Sequence, residues 1–425
     1  MDDYAFNPDW ARARDDADPL REFRARFLIP PHGGGEQAYF CGNSLGLQPR
    51  GVRQALLDEL DDWARLGVEG HVLGRHPWLS YHAEVRDALA QTLGAHREEV
   101  VAMNSLTVNL HLMMVSFYRP TPERNAILIE RGAFPSDRHA VASQIAFHGF
   151  DPATALIELD ADESGGTISM SAIERVLHEH GHRISLVLWP GVQYLTGQAF
   201  DLAAITKLAH AQACVIGFDL AHAAGNIDLA LHDSGCDFAA WCSYKYLNAG
   251  PGAVAGCFVH ARHAREELPR LAGWWGHDEA TRFQMRPQFD PAPGADGWQL
   301  SNPPILALAP LRVSLEIFQR AGMQRLREKS EHLTGYLEWL INMQLADTLE
   351  ILTPAEPERR GAQLSVRVRA GREAGRSLFE YLNAHGVLGD WREPDVMRLS
   401  PAPLYNTYRD CLRLTEAVRA WRAAH

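Results

Sequence analysis

Of the 41 lysines and arginines in this chain only three are lysines: Lys207, Lys245 and Lys329. The distinction is chemical, because an amine condenses with an aldehyde to give an imine, whereas a guanidinium stays charged and cannot. Lys207 falls in the amphipathic pattern Leu202-Ala-Ala-Ile-Thr-Lys-Leu-Ala and Lys329 in the charged run 325–331, so both are expected on solvated surface. Lys245 sits between Tyr244 and Tyr246, just past the apolar run 238–242. A second apolar run, 214–218, ends in Asp219, with His222 three residues on. A lysine at one strand tip and a carboxylate at a neighbouring tip meet the needs of a pyridoxal phosphate site. The amine holds the aldehyde and the carboxylate keeps the ring nitrogen protonated. Read alone, Lys245 also fits a structural lysine in a loop.

Other positions carry compatible chemistry. Ser105 and Thr107 stand between the strand-like run 99–104 and the helical pattern 106–118. A helix start after a strand favours an anion such as phosphate, and the same residues serve equally as plain caps. Phe134-Pro135-Ser136-Asp137 follows the apolar run 126–130. Phe134 there could stack on a ring or fill core, and Pro135 suits a first helical turn. Arg398 lies within the strand run 396–400, either ion-paired or gripping a carboxylate by two parallel hydrogen bonds. Ser44 sits in the Gly/Asn loop of 39–49, and His71 in the stretch 67–71, read as too glycine-rich for helix. Trp274-Trp275 in a glycine setting suits a pocket wall, a subunit interface or core.

Those residues need a frame, and the pattern supplies one. From 99 to 260 strand-like and helical segments alternate, predicting an α/β fold with a doubly wound, mostly parallel sheet. Ligands gather at the carboxyl ends of such strands, where Asn104, Phe134, Asp219 and Lys245 all fall. The glycines at 250–256 follow the lysine without GxGxxG spacing and open a strand, so they form no dinucleotide fingerprint. Residues 1–38 read as an N-terminal arm, 39–304 as a large cofactor domain, and 305–425 as a bridging helix with a smaller C-terminal α/β domain.

Whole-chain properties set limits. A net charge of −12 with no basic stripe argues against nucleic acid or an anionic membrane as partner. No apolar run approaches the ~20 residues of a membrane span. Six cysteines without a CxxC pair read as free thiols of a soluble, cytoplasmic protein. His178, His180 and His182 lie at the polar end of a helix without other ligands at metal spacing, so no metal site is expected.

With these residues assembled, the chain resembles the kynureninase family of fold-type I pyridoxal phosphate enzymes, from Tyr39 to about Tyr408. The resemblance rests on Tyr39-Phe-Cys-Gly-Asn-Ser-Leu-Gly-Leu-Gln-Pro, Met103-Asn-Ser-Leu-Thr, Phe134-Pro-Ser-Asp, Asp219-Leu-Ala-His222, Ser243-Tyr-Lys245, Gly273-Trp-Trp-Gly-His, Ser301-Asn-Pro-Pro and Arg398-Leu-Ser-Pro-Ala-Pro-Leu-Tyr-Asn. It implies hydrolysis of L-kynurenine to anthranilate and L-alanine, with the choice between kynurenine and its 3-hydroxy form left open, in tryptophan catabolism and NAD biosynthesis. It implies Lys245 as the imine lysine and proton shuttle, Asp219 with His222 at the ring nitrogen, and Phe134 stacked on the ring near Ser136 and Asp137. Leu106, Thr107, Tyr244, Trp274 and Asn302 line the cofactor; Ser44, His71, Asn302 and Arg398 meet the substrate. Tyr244 is a candidate proton donor to Cβ, and Trp275 stands where a Phe is expected. A homodimer is implied. Rival readings are a class V aminotransferase, a cysteine desulfurase, or a cofactor-binding protein without catalysis.

Overall fold

The computed structural model describes residues 4–424. Its centre is a seven-stranded sheet built from β1 (Val100–Ala102), β2 (Ala126–Glu130), β3 (Leu156–Leu159), β4 (Ile184–Pro190), β5 (Val215–Asp219), β6 (Phe238–Trp241) and β7 (Gly256–Val259). The spatial order is β1-β7-β6-β5-β4-β2-β3. Neighbours from β6 to β3 pair in parallel, and β7 runs antiparallel to both β6 and β1.

The sheet is buried on both faces, which explains why its strands read as unbroken apolar runs. In β4, Val187 and Trp189 enter the core on one face while Leu186 and Leu188 enter that on the other. In β6, Ala239 and Trp241 face one core and Phe238 and Ala240 the other. Helices α2 (Leu106–Phe117) and α3 (Pro135–Phe147) cover one side. Met170–His180, Leu202–Ala211 and α4 (Ile305–Ala321) cover the opposite side. Each fully buried Val or Ile, such as Val187 and Ile216, contributes roughly 1.5–3 kcal/mol of transfer free energy.

A second, antiparallel sheet comprises β8 (Leu349–Ile351), β9 (Leu364–Val368), β10 (Asp390–Arg392) and β11 (Val396–Leu399), in the order β8-β9-β11-β10. Its core takes in residues from the start of the chain as well as the end: Ala11, Ala38 and Phe40 pack with Leu337, Leu364 and Leu414. The N-terminal helix, α1 (Pro8–Ala17), lies along the C-terminal helix Tyr408–Ala424. Trp10 meets Tyr336 at 4.7 Å between ring centroids, and the Asp15 carboxylate accepts from the backbone N–H of Tyr408 at 2.7 Å. A carboxylate there satisfies one orphan donor and favours the positive end of the helix.

One expectation is corrected here. Lys329 is not solvated: it is 8 % exposed, and its Nζ lies 2.7 Å from Asp18 Oδ2. The charged run hides its phase. On the helix Met323–Gln344, Lys329 shares the inner face with Leu326, Ser330 and Leu333, all buried. Among the described residues no helix is long and apolar enough to cross a membrane.

Candidate active site

The carboxyl ends of β2, β4 and β5 and the loop after β6 open on one cavity of about 400 Å³, a size suited to a small ligand. Lys245 and Asp219 both line it. The Lys245 ammonium lies 2.9 Å from His222 Nε2. Burial, and then the charge of Lys245, push His222 well below the ordinary imidazole range. The ring is therefore neutral, with Nε2 accepting from the lysine and its own proton on Nδ1.

Carboxyl groups crowd the other wall. Asp219 Oδ1 accepts from the backbone N–H of Ala221 at 2.6 Å. Asp137, in the first turn of α3, is hydrogen-bonded to Asp219; burial and the Asp219 charge hold its carboxyl far above the usual range, so it donates the shared proton. Glu130 ends β2 fully enclosed, and burial with the nearby Asp219 raises its carboxyl to about 8. Opposed titratable groups with displaced pKa values in one cleft are a mark of function.

The cavity also has an anion end. Neither Ser105 before α2 nor Phe134 before α3 provides a side-chain cap. Thr107 Oγ1 and Ser136 Oγ, from those two helix starts, hydrogen-bond each other at 2.7 Å. Ser105, Leu106, Thr107 and Ser136 all line the cavity. Ser105 thus makes no side-chain cap, and two uncapped helix N-termini with hydroxyls between them leave N–H groups of the kind that favour an anion.

Arg398 takes the ion-paired alternative and still faces the cavity. It is 1 % exposed, ion-paired with Asp390 of β10, and donates from Nη1 to the Tyr194 carbonyl at 2.8 Å, yet it lines the cavity. Its Nε is buried without a partner among the described residues. Ser44 reaches the same wall because Gly46 lets its loop approach closely. The Gly46 N–H donates to the Tyr244 carbonyl at 2.8 Å, and a Cβ there would lie 2.3 Å from the Lys245 carbonyl oxygen. Phe134 is 42 % exposed at the mouth and meets Tyr194 edge-on at 5.2 Å. Pro135 opens α3 beside it. Burial, then Cys242, raise the Tyr244 phenol, so it keeps its proton.

His71, Trp274 and Asn302 lie outside this cavity within the single chain, and neither Pro135 nor Asn104 lines it. His71 Nδ1 bonds the Val68 carbonyl at 2.9 Å. Its stretch, expected to be irregular, forms two short helical turns, Gly67–Glu69 and Gly70–Leu73; the φ of +56° at Gly67 ends the preceding helix without preventing a new one. Trp274 is 42 % exposed, with Nε1 donating to the Arg282 carbonyl at 3.2 Å. Asn302 is exposed beside a separate cavity of about 220 Å³. Conversely, Glu130, Tyr194 and Arg392 line the main cavity unannounced. Glu130 carried the same signal as Asp219, an acid closing an apolar run; Tyr194 and Arg392 carried none.

This architecture is that of the fold-type I pyridoxal phosphate enzymes. The residues present fit that cofactor: an amine and a carboxylate on neighbouring strand ends, an anion cradle, and buried unpaired atoms (Asp137 Oδ1, His222 Nδ1) on lining residues. Comparison with known proteins narrows the class. A family model described as the kynureninase C-terminal domain matches residues 326–418. A kynureninase of Xanthomonas euvesicatoria pv. vesicatoria is 65 % identical over 414 residues, covering 97 % of this chain and 98 % of that one. A kynureninase of Stenotrophomonas maltophilia is 65 % identical over 412 residues, 97 % of each chain. The chain belongs to the kynureninase family. Among solved structures, the cystine C–S lyase C-DES in complex with cysteine persulfide aligns with a TM-score of 0.76 at 18 % identity, covering 89 % of this chain and 96 % of that one. The Escherichia coli cysteine desulfurase CsdA aligns with a TM-score of 0.75 at 17 % identity, covering 95 % and 98 %. At those identities the likeness concerns the fold alone.

Proposed function

We propose that this protein is a pyridoxal phosphate-dependent hydrolase that cleaves L-kynurenine to anthranilate and L-alanine. The observation that carries the reading is the convergence of Lys245, Asp219 and Arg398 on one cavity in a chain of this family. The cofactor, when bound, supplies an electron sink for charge developing at Cα and Cβ. The chain does the rest. Thr107, Ser136 and the backbone at Leu106 hold the phosphate. Asp219 keeps the pyridine nitrogen protonated by Coulomb attraction. Phe134 covers the ring, Arg398 binds the substrate carboxylate, and Lys245 Nζ moves the Cα proton. Tyr244, held protonated, is the donor to Cβ. Water is consumed at the γ-carbonyl. The test is incubation of cofactor-loaded protein with L-kynurenine while anthranilate fluorescence is followed. An absence of fluorescence, or turnover only with a 2-oxo acid, refutes the reading. A desulfurase alternative lacks its nucleophile: five cysteines are buried, and burial and Asp390 raise the half-buried Cys41 thiol to about 12.

The working unit in this proposal is a homodimer, with His71, Trp274 and Asn302 serving the site of a second copy. Supporting it, the surface around His71 is apolar: Trp63, Val68, Val72 and Leu73 are 61 %, 76 %, 53 % and 63 % exposed. Apolar side chains so clustered mark an interaction surface. Light scattering is expected to give twice 47.4 kDa for the native chain, and the single-chain mass with most activity lost for Leu73→Asp. A fully active native monomer refutes it.

A further inference from the structure

At the opposite end of the large sheet from Lys245, three imidazoles and a carboxylate gather without any part in the chemistry above. Because β7 runs antiparallel to its neighbours, its last residue, Val259, pairs with Phe238 at the start of β6. His260 therefore emerges beside Glu99, the residue before β1, whereas Lys245 follows the far end of β6. Glu99 is fully buried. Its Oε1 accepts from His232 Nδ1 at 2.9 Å and lies 3.8 Å from His260 Nδ1. His96 stacks on His232 with ring centroids 3.6 Å apart, and His232 on His260 at 5.0 Å. One ligand-capable atom from each of His96, Glu99 and His232 lies within 4.8 Å of the other two.

The charge balance there is unusual. Among the described residues, Glu99 has no lysine or arginine within ion-pair distance; its partners are His232 and His260. The nearby Arg262 is engaged by Asp237, Nη2 to Oδ1 at 3.0 Å. A buried carboxylate thus faces imidazoles stacked at 3.6 Å, and ring nitrogens beside a carboxylate oxygen are ligand atoms that first-row transition metals favour. The carboxylate is held by the backbone N–H groups of His96 and Ala261, each at 2.8 Å, the first within a reciprocal capping box in which the His96 side chain accepts from the Glu99 N–H. Such outer contacts are what hold a ligand ready.

We propose a divalent transition-metal site formed by His96, Glu99 and His232, of the type that takes Zn²⁺. Two imidazole nitrogens, one carboxylate oxygen and a water make a four-coordinate zinc set, and the same set accepts Co²⁺. On binding, the His232 Nδ1–H bond breaks and its proton passes to solvent. The metal takes the proton's place between that nitrogen and Glu99 Oε1. Access is open, since the His96 side chain is 54 % exposed. The donors come from two separate stretches of chain, so the ion fastens the entry to β1 to the segment before β6.

The experiment uses cofactor-loaded enzyme treated with chelator, then titrated with Co²⁺ and back-titrated with Zn²⁺. One Co²⁺ per chain with ligand-field absorption, displaced by one Zn²⁺, is expected. His96→Ala and His232→Ala should each weaken binding at least tenfold while turnover of kynurenine reports an intact fold. His96, being exposed, is the variant least exposed to misfolding. The paired change His178→Ala/His182→Ala, on the histidine run set aside from sequence, should leave binding unaltered. No stoichiometric Co²⁺ binding, binding that survives both His96→Ala and His232→Ala, or binding lost with His178 and His182, overturns the assignment.

Discussion

Lys245→Ala is expected to lower anthranilate release by roughly 10⁴-fold or more, because one side chain supplies both the amine that holds the cofactor and the base at Cα. No other lysine can stand in. Lys207 is exposed on the helix Leu202–Ala211, and Lys329 is locked to Asp18. The cavity itself should survive, since Lys245 contributes a chain end to a wall framed by β5, β6 and the two helix starts. The variant should therefore still bind the cofactor, but lose it on gel filtration along with the visible band of the native enzyme. A small primary amine should restore part of the rate. Retention of more than about one part in a hundred of native kcat would remove Lys245 from its role.

Arg398→Met should act on the other half of the reaction, recognition. A desolvated guanidinium–carboxylate contact is worth about 2–5 kcal/mol when one partner is truncated, or roughly 30- to 5,000-fold. The loss should appear mainly in KM for kynurenine, with kcat reduced less, because the arginine grips a group that does not react. Some of the cost will be structural: Asp390 loses one of two arginines and keeps Arg392, Nη2 to Oδ2 at 3.1 Å. Asp390→Asn separates the contributions, since it loosens Arg398 without deleting it. Were KM unchanged in Arg398→Met, the carboxylate would belong to Arg392 instead.

Much of this site was legible in the chain because parallel strands buried on both faces announce themselves as apolar runs, and their carboxyl ends announce the site. Asp219, Lys245 and the segments at 105–107 and 134–137 were found that way, and each lines or borders the cavity. What escaped came from two kinds of blindness. Tyr194 reaches the cavity from a loop and Arg392 from a strand of the second sheet, and nothing local tells which side chains turn inward. Lys329 was misread because a run of charges masks helical phase; only the packing of the N-terminal segment reveals which charge is inside. The histidines at 96, 232 and 260 lie up to 164 residues apart in number and meet only through the reversed direction of β7, which spacing does not report.

The sharing of one core by both ends of the chain has a consequence for biosynthesis. Asp15 and the Tyr408 amide it caps are 393 residues apart. At about 5–20 residues per second, the first helix leaves the ribosome roughly 20–80 s before its docking surface exists. The large sheet, whose strands are contiguous from 100 to 259, can form in the interval. The core of the second sheet cannot close until Tyr408–Ala424 has been made, so the helix Pro8–Ala17 settles after the large sheet, with Trp10 and Phe40 open to chaperones meanwhile.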